Sequence, residues 1–485
     1  MNAFVLLLVS SIIESLLILI SFFVRIPEWT TIVCGMLSIG CLIVFCNKEK
    51  IAIKHKVVAI IISLSSVVWG IWSAYFLPYW GNYTIRYVFG EPYRESLNPG
   101  RKLPADEVIN DIVYVRDNLQ RVHPACMKSL PDSIQEKISC SINDLSGRDS
   151  VYIWEEYQHI QRFLSLLNDV HTEVLHVSSH KRYLDINGPY EILEVNDIPI
   201  NNIYEQKRNL ISSETFEWTK KSINDMIRSY DGLQLLGLLN NNEVSFTYKD
   251  SSSTICTRHF SASNFSNTNS NNFSLSSPHI GGYALNDTTK TAYLRMDNCF
   301  YYSPRARSRF NSGIDQMFAS ICEKDYKSLI IDLRGNPGGN PAIIHSLIRH
   351  MPIKLYHIGK MSVRRGPIFM GMRNVYHNPW PKNDAFTGTV YVLTSLSTFS
   401  AAMQVADCLQ GNGLAKIVGE SPGNLPVSYG NIVYYVLPFS KLTLKISTSS
   451  YERTDTSVNS KRLLPDIPCE SNDALNVAYL NASRQ

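Results

Sequence analysis

Ser-Leu-Ile-Ile-Asp-Leu-Arg-Gly-Asn-Pro-Gly-Gly, residues 328–339, decides the reading of this chain. Four apolar residues among the first six, bounded by a Gly-Asn-Pro-Gly-Gly turn, predict a buried strand ending abruptly. A helix over Pro341–Met351 follows. Upstream, Ala292–Met296 reads as a strand and about 305–323 as a helix; downstream come a strand at Thr389–Thr394, a helix at Ala401–Gln410 and a strand at Ala415–Glu420. Strand–helix alternation of this kind predicts α/β layering. Asn431–Thr448 closes the region as two paired strands.

Outward from this core, residues 104–170 have helical spacing through Val108, Ile109, Ile112, Val113 and Val115, with a second helical run over Trp154–Leu167. Asn-Asp-Val-His-Thr (168–172) then gives way to a strand pattern. Residues 190–250 form a smaller unit: strand, turn and short strand in 190–200, a helix near Asp231–Leu239, and a strand at Glu243–Tyr248. The Ser/Asn-rich stretch 261–277 marks a linker. The expected divisions are 1–79, 80–180, 181–277 and 278–485.

Residues 1–79 are mostly apolar, in three runs over about 3–24, 29–46 and 57–77. Each approaches the ~20 residues a helix needs to cross a bilayer; the competing reading is a buried hairpin. The first run lacks a basic n-region, so it does not read as a signal peptide. Lys48, Lys50, Lys54 and Lys56 between the second and third runs place that loop in the cytoplasm. A multi-pass protein of the cytoplasmic membrane follows, with residues 80–485 outside, although Arg86, Arg94, Arg101 and Lys102 pull weakly the other way. Glu14 lies within the first run and reads as protonated or packed against another helix.

A formal net charge of +4 over 485 residues gives a nucleic-acid role no electrostatic support. Of 10 cysteines, Cys34, Cys41 and Cys46 lie in or beside the second run. The other seven have no zinc-ribbon or Cys-X-X-Cys spacing; Cys126 and Cys140 could bridge in an oxidising compartment. No cofactor or metal is expected, since His171, His176 and His180 lie on a strand-like segment without a His-Glu-X-X-His pattern.

Ser400, in Ser-Thr-Phe-Ser-Ala-Ala (397–402), stands between a strand and a helix. Such a serine can cap the helix. It can equally be a nucleophile, with the free N–H groups of the helix start beside it. The Gly-Gly pair lets the backbone approach a ligand, or simply makes a turn. A serine nucleophile needs a base; His171 is favoured, with His176 and His180 close by.

Asp-Leu-Arg-Gly-Asn-Pro-Gly-Gly, Thr-Phe-Ser-Ala-Ala and Val-Gly-Glu-Ser-Pro-Gly, in that order, resemble the core of the tail-specific (C-terminal processing) proteases, a family that includes the tricorn-type enzymes. Val-His-Pro (122–124), Leu-Asn-Asp-Val-His-Thr (167–172), a PDZ-like Ile-Leu-Glu-Val-Asn-Asp-Ile-Pro-Ile (192–200) and Leu-Leu-Pro-Asp-Ile (463–467) extend the resemblance over about 104–470. It implies an endopeptidase of peptides or proteins, with Ser400 as nucleophile and oxyanion donors from Ala401 and from Gly338 or Gly339. It also implies an α/β core and a degenerate PDZ-like unit that presents or gates the substrate. Two departures stand out. Leu425 occupies the place of the lysine in the Ser–Lys members, and no lysine occurs over 417–440, so the chain is closer to the Ser–His branch with His171 as base. The third member would be Asn459, Glu452 or Asp455. Met403 stands where many members carry Glu. The alternative is a catalytically inactive peptide-binding protein that keeps the fold.

Overall fold

A computed structural model describes residues 99–175, 182–184, 190–267, 280–300, 304–365, 368–378 and 385–484, with isolated helical positions between Ile12 and Leu64. Among the described residues no helix is long and apolar enough to cross a membrane. The three apolar runs of 1–79 lie outside the described residues except at those isolated positions, and His176 and His180 lie outside them altogether.

Three helices lead the chain: α1 (Ala105–Val122), α2 (Asp132–Leu145) and α3 (Ile153–Leu164). In α1, Val108, Ile112, Val115 and Leu119 are buried at three- and four-residue spacing, so one stripe faces the core. The chain then passes through Asn168, in the left-handed conformation, into the short strand β1 (Glu173–Leu175).

The next unit has β2 (Glu191–Val195), β3 (Ile198–Pro199), helices α4 (Ile200–Lys207), α5 (Phe216–Ile227) and α6 (Tyr230–Leu235), then β4 (Glu243–Lys249) and β5 (Ile255–Ser261). Its strands form an antiparallel sheet in the order β3-β2-β4-β5. Helices α4 and α5 are additions to the elements anticipated between 200 and 231.

The remaining elements are β6 (Ile280–Asn286), β7 (Thr291–Met296), α7 (Pro304–Glu323), β8 (Ser328–Asp332), α8 (Ile343–Ile348), β9 (Met361–Arg365), β10 (Ile368–Gly371), β11 (Thr389–Thr394), α9 (Ala401–Gly411), β12 (Lys416–Gly419), β13 (Ser428–Val436), β14 (Thr443–Tyr451), β15 (Ile467–Pro468) and α10 (Ala474–Ala482). Six strands make the central sheet, β6-β7-β8-β11-β12-β15, parallel from β7 to β15. Every residue of β8 is buried, as a central parallel strand covered on both faces requires. Leu329 and Ile331 point into a core shared with α7, α8 and α9, while Ile330 points to the opposite face, against Ala474 and Ala478 of α10.

A second sheet, β10-β9-β14-β13, is antiparallel, and β1 joins it on β14 with Lys445 opposite Glu173. The β9–β10 hairpin was not foreseen. One hydrophobic core runs from α1–α3 through α5 and β4 into Val433, Tyr435, Leu444 and Ile446 of β13 and β14. The lead-in and the end of the chain are therefore packed together, across the divisions expected at 180 and 277.

Candidate active site

The loop that carries Ser400 begins where β11 ends. The carbonyl of Leu333, just past β8, accepts the Thr398 hydroxyl at 2.8 Å, and Thr398 Oγ1 in turn accepts the Ser395 N–H at 2.9 Å. Phe399 donates its N–H to the Asn336 carbonyl at 2.9 Å, tying the loop to the Gly-Asn-Pro-Gly-Gly turn. The backbone then turns sharply into α9, with Ser400 at φ 52° and ψ −121°. A residue with a Cβ pays roughly 1–3 kcal/mol for such a conformation. The Ser400 N–H donates to Asn424 Oδ1 at 3.0 Å, which fixes the turn from the opposite side. The Ser400 side chain makes no capping hydrogen bond to α9. The cap reading of this serine therefore fails, and its half-buried hydroxyl is not committed to the helix.

The glycine turn lies against this elbow. A Cβ on Gly338 would sit 2.7 Å from Phe399 O and Ser400 Cβ and 2.8 Å from Ala401 N, at a φ of +91°, so only glycine fits. Gly338 spends its own N–H on Asn336 Oδ1 at 2.9 Å, while Asn336 Nδ2 donates to the Met296 carbonyl at 2.8 Å. Gly339 is the glycine whose N–H is not used in that bond. Ala401 opens α9, where the amide has no acceptor within the helix. Met403 is fully buried in the core rather than at the site.

His171 reaches this region from the other half of the molecule. Its turn is held by Asp169, which accepts the His171 N–H at 2.9 Å, the Thr172 hydroxyl at 2.5 Å and His123 Nε2 at 3.1 Å. His123 Nδ1 accepts the Ala125 N–H, so its proton is on Nε2, facing Asp169. These bonds hold the Asp169 carboxyl, despite full burial, well below the usual carboxylate range. Thr172 Oγ1 also accepts the Ser447 N–H of β14 at 3.0 Å. The His171 ring packs on Phe399, centroids 5.0 Å apart, and Trp218 of α5 stacks on the same phenyl ring at 4.7 Å. His171 is 7% exposed, and neither ring nitrogen has a hydrogen-bond partner. Burial pushes its pKa down to about 4, although the Asp169 charge and the Tyr429 backbone favour the protonated ring.

The three expected third members are paired with other groups or exposed. Glu452 pairs with Lys360 at 3.2 Å, Asp455 accepts the N–H and hydroxyl of Ser457, and Asn459 is exposed. The acidic groups at His171 are instead Asp169, with Oδ1 3.8 Å from Nδ1, and Glu214. Glu214 Oε2 accepts the Leu425 N–H at 2.6 Å, so the position that departs from lysine is joined to a glutamate through its backbone. Burial, opposed by the Leu425 N–H and helped by the nearby Asp169 charge, holds the Glu214 carboxyl well above its ordinary value. Donor atoms of Asp169, His171 and Glu214 all lie within 4.8 Å of one another, a set that could hold a metal ion although none was expected. The sequence offered a signal for Asp169, two residues before the histidine in the quoted motif. For Glu214, Asn424 and Trp218 it offered none, because only tertiary packing brings them here.

Residues 290–469 match the model of peptidase family S41. No curated protein sequence matches the chain. Among solved structures, mature CPAF is similar at 14% identity and a TM-score of 0.53, covering 78% of this chain and 96% of that one. Mature CPAF complexed with lactacystin gives 14% identity, a TM-score of 0.55, and coverage of 78% and 97%. At this identity the likeness is one of fold. Together with the family match, it gives this chain a core with the serine-type peptidase fold of family S41.

Proposed function

We propose that this chain is a serine endopeptidase in which Ser400 attacks the peptide carbonyl and His171 takes its proton. The observation that carries the reading is the strained, uncapped Ser400 at the start of α9, with the unpartnered His171 ring against the preceding Phe399. With a pKa near 4 the ring is neutral at pH 7 and has a lone pair to offer. As Oγ bonds to the carbonyl carbon, the oxyanion takes N–H groups from Ala401 and Gly339. The imidazolium returns its proton to the leaving amine, and water cleaves the acyl-enzyme. Asp169 fixes the His171 backbone and stabilises the cation as it forms. The β3-β2-β4-β5 unit is read as PDZ-like, guiding the peptide toward the site.

Membrane anchoring belongs to the same reading. Seven apolar helical positions between Ile12 and Leu64 are 48–80% exposed, a pattern that favours a lipid environment. The enzyme then acts outside the cytoplasmic membrane. A topology reporter fused after residue 80 tests this, and a cytoplasmic signal would overturn it.

A fluorophosphonate probe applied to the full chain in detergent tests the chemistry. Wild type should be labelled and Ser400→Ala should not; absence of labelling in wild type refutes the reading. The second reading, a peptide-binding protein without catalysis, draws on the 3.8 Å gap between His171 Nδ1 and Asp169. It requires peptide affinity indifferent to Ser400→Ala with no cleavage.

A further inference from the structure

We infer that Asp169, His171 and Glu214 form a divalent-cation site of the zinc class, and that the bound ion switches the peptidase off. The three side chains come from two segments and converge in the interior, with their donor atoms within 4.8 Å of one another. Both nitrogens of the buried His171 ring lack a partner, and so does buried Glu214 Oε1. Asp169 Oδ1 accepts one hydrogen bond, from the His171 N–H, and keeps a second lone pair. One imidazole and two carboxyl groups thus meet with few donors to answer them, and a cation that displaces the Glu214 proton satisfies all three at once.

The chemistry selects the ion. One imidazole nitrogen and two carboxylate oxygens suit zinc, with three protein ligands and an open position. Calcium would want six to eight oxygens, and this site has two carboxylates beside an imidazole. Around tetrahedral zinc, ligand atoms at roughly 2.1 Å from the metal stand about 3.4 Å apart. His171 Nδ1 and Asp169 Oδ1 are at 3.8 Å, so only a small contraction is needed on that side. A dication also balances the Asp169 carboxylate and the Glu214 carboxyl once that group has given up its proton to the incoming ion.

Inhibition follows from the count of lone pairs. A neutral imidazole has one nitrogen lone pair; given to the metal at Nδ1, it leaves Nε2 protonated and unable to accept the Ser400 proton. The inhibition rests on His171 being the base of the proposed mechanism; the binding does not.

The test uses the full chain in detergent, stripped with a chelator and titrated with zinc. Calorimetry reads zinc binding, the visible absorption of cobalt(II) reads a tetrahedral site, and fluorophosphonate reads Ser400. The expected result is one ion per chain, labelling suppressed by zinc and restored by chelator, and no suppression by calcium. Glu214→Gln should weaken zinc by more than about 100-fold, beyond what outer-shell changes cost, and whatever labelling it has in chelator should no longer fall at the zinc concentration that suppresses wild type. Glu214→Asp, which keeps a carboxylate, should bind more tightly than Glu214→Gln, which guards against a folding defect. Zinc binding that is absent, or unchanged in both Glu214→Gln and His171→Ala, overturns the site. Labelling that ignores zinc, with the ion bound, overturns the switch and leaves the peptidase reading standing. Zinc binding without labelling in any condition refutes the peptidase reading and leaves the site standing.

Discussion

Glycine and alanine at Ser400 separate backbone strain from chemistry. Both Ser400→Gly and Ser400→Ala delete the hydroxyl, so both should abolish fluorophosphonate labelling. They differ in the Cβ, which is what makes φ 52°, ψ −121° costly. This ψ lies far from the left-handed helical well as well, so the strain falls toward the upper part of roughly 1–3 kcal/mol. Glycine returns about 0.4–1 kcal/mol of that by giving the unfolded chain more freedom. Ser400→Gly should therefore be more stable than Ser400→Ala by about 1 kcal/mol. For a cooperative unit the size of residues 290–469, that is about 2–4 °C in Tm. Thermal and urea unfolding of the two full-length variants, followed by tryptophan fluorescence, measure the difference. Equal stabilities, or alanine the more stable, would mean the elbow stores no strain and would refute the claim that Ser400 is held in a costly conformation.

Three further predictions rest on the same geometry. Gly338→Ala places a Cβ 2.7 Å from Phe399 O at positive φ and should cost about 1–3 kcal/mol, read as a lower urea midpoint, with labelling lost. Asp169→Asn brings an amide N–H₂ toward donors on His123 and Thr172; destabilisation of about 1–3 kcal/mol and slower labelling are expected from melts and probe kinetics. His171 binds its proton near pH 4 in the fold but near 6.5 when unfolded, so between those values the unfolded chain holds more protons. Its contribution, about 3 kcal/mol, is full above roughly pH 6.5 and lost as pH falls toward 4. In chelator, the stability difference between wild type and His171→Ala should shrink over that window, and wild-type labelling should persist below pH 6.

The sequence was most readable where one strand sets its own pattern. Thr389–Thr394 was found to the residue, and the strand after Lys327 and the helix after Ser400 nearly so, because buried parallel strands and glycine turns leave a local signature. The pair β9–β10 left none: Met361–Arg365 and Ile368–Gly371 show no sustained period-two pattern, and β9 is held by pairing with β14 more than 80 residues on. At the site, Ser400, Gly338 and His171 were legible from motifs. The acidic groups beside His171 were not, because the resemblance implied a partner just before Leu463–Ile467, whereas Asp169 is two residues from the histidine and Glu214 arrives through the Leu425 amide.

That division has a physical consequence for how the site is assembled. The serine side, with Asn336, Gly338, Ser400 and Asn424, lies within residues 290–469, where Asn336 accepts the Gly338 and Phe399 N–H groups and Asn424 accepts that of Ser400. The histidine side, with His123, Asp169, His171 and Glu214, comes from upstream; beyond the shared core and the β1–β14 pairing, further contacts join the two sides around the site. Trp218 stacks on Phe399; Thr215 Oγ1 donates to the Gly423 carbonyl at 2.9 Å; Glu214 accepts the Leu425 N–H; and Arg462 pairs with Glu217. Three of these contacts fall on residues 214–218, at the start of α5, and on the loop 423–425 or its neighbour Phe399. The segment that carries Glu214 therefore also seats the histidine half on the serine half. A metal-binding carboxylate placed there responds to the same docking that completes the Ser–His pair, so the switch and the assembly of the site are one structural event.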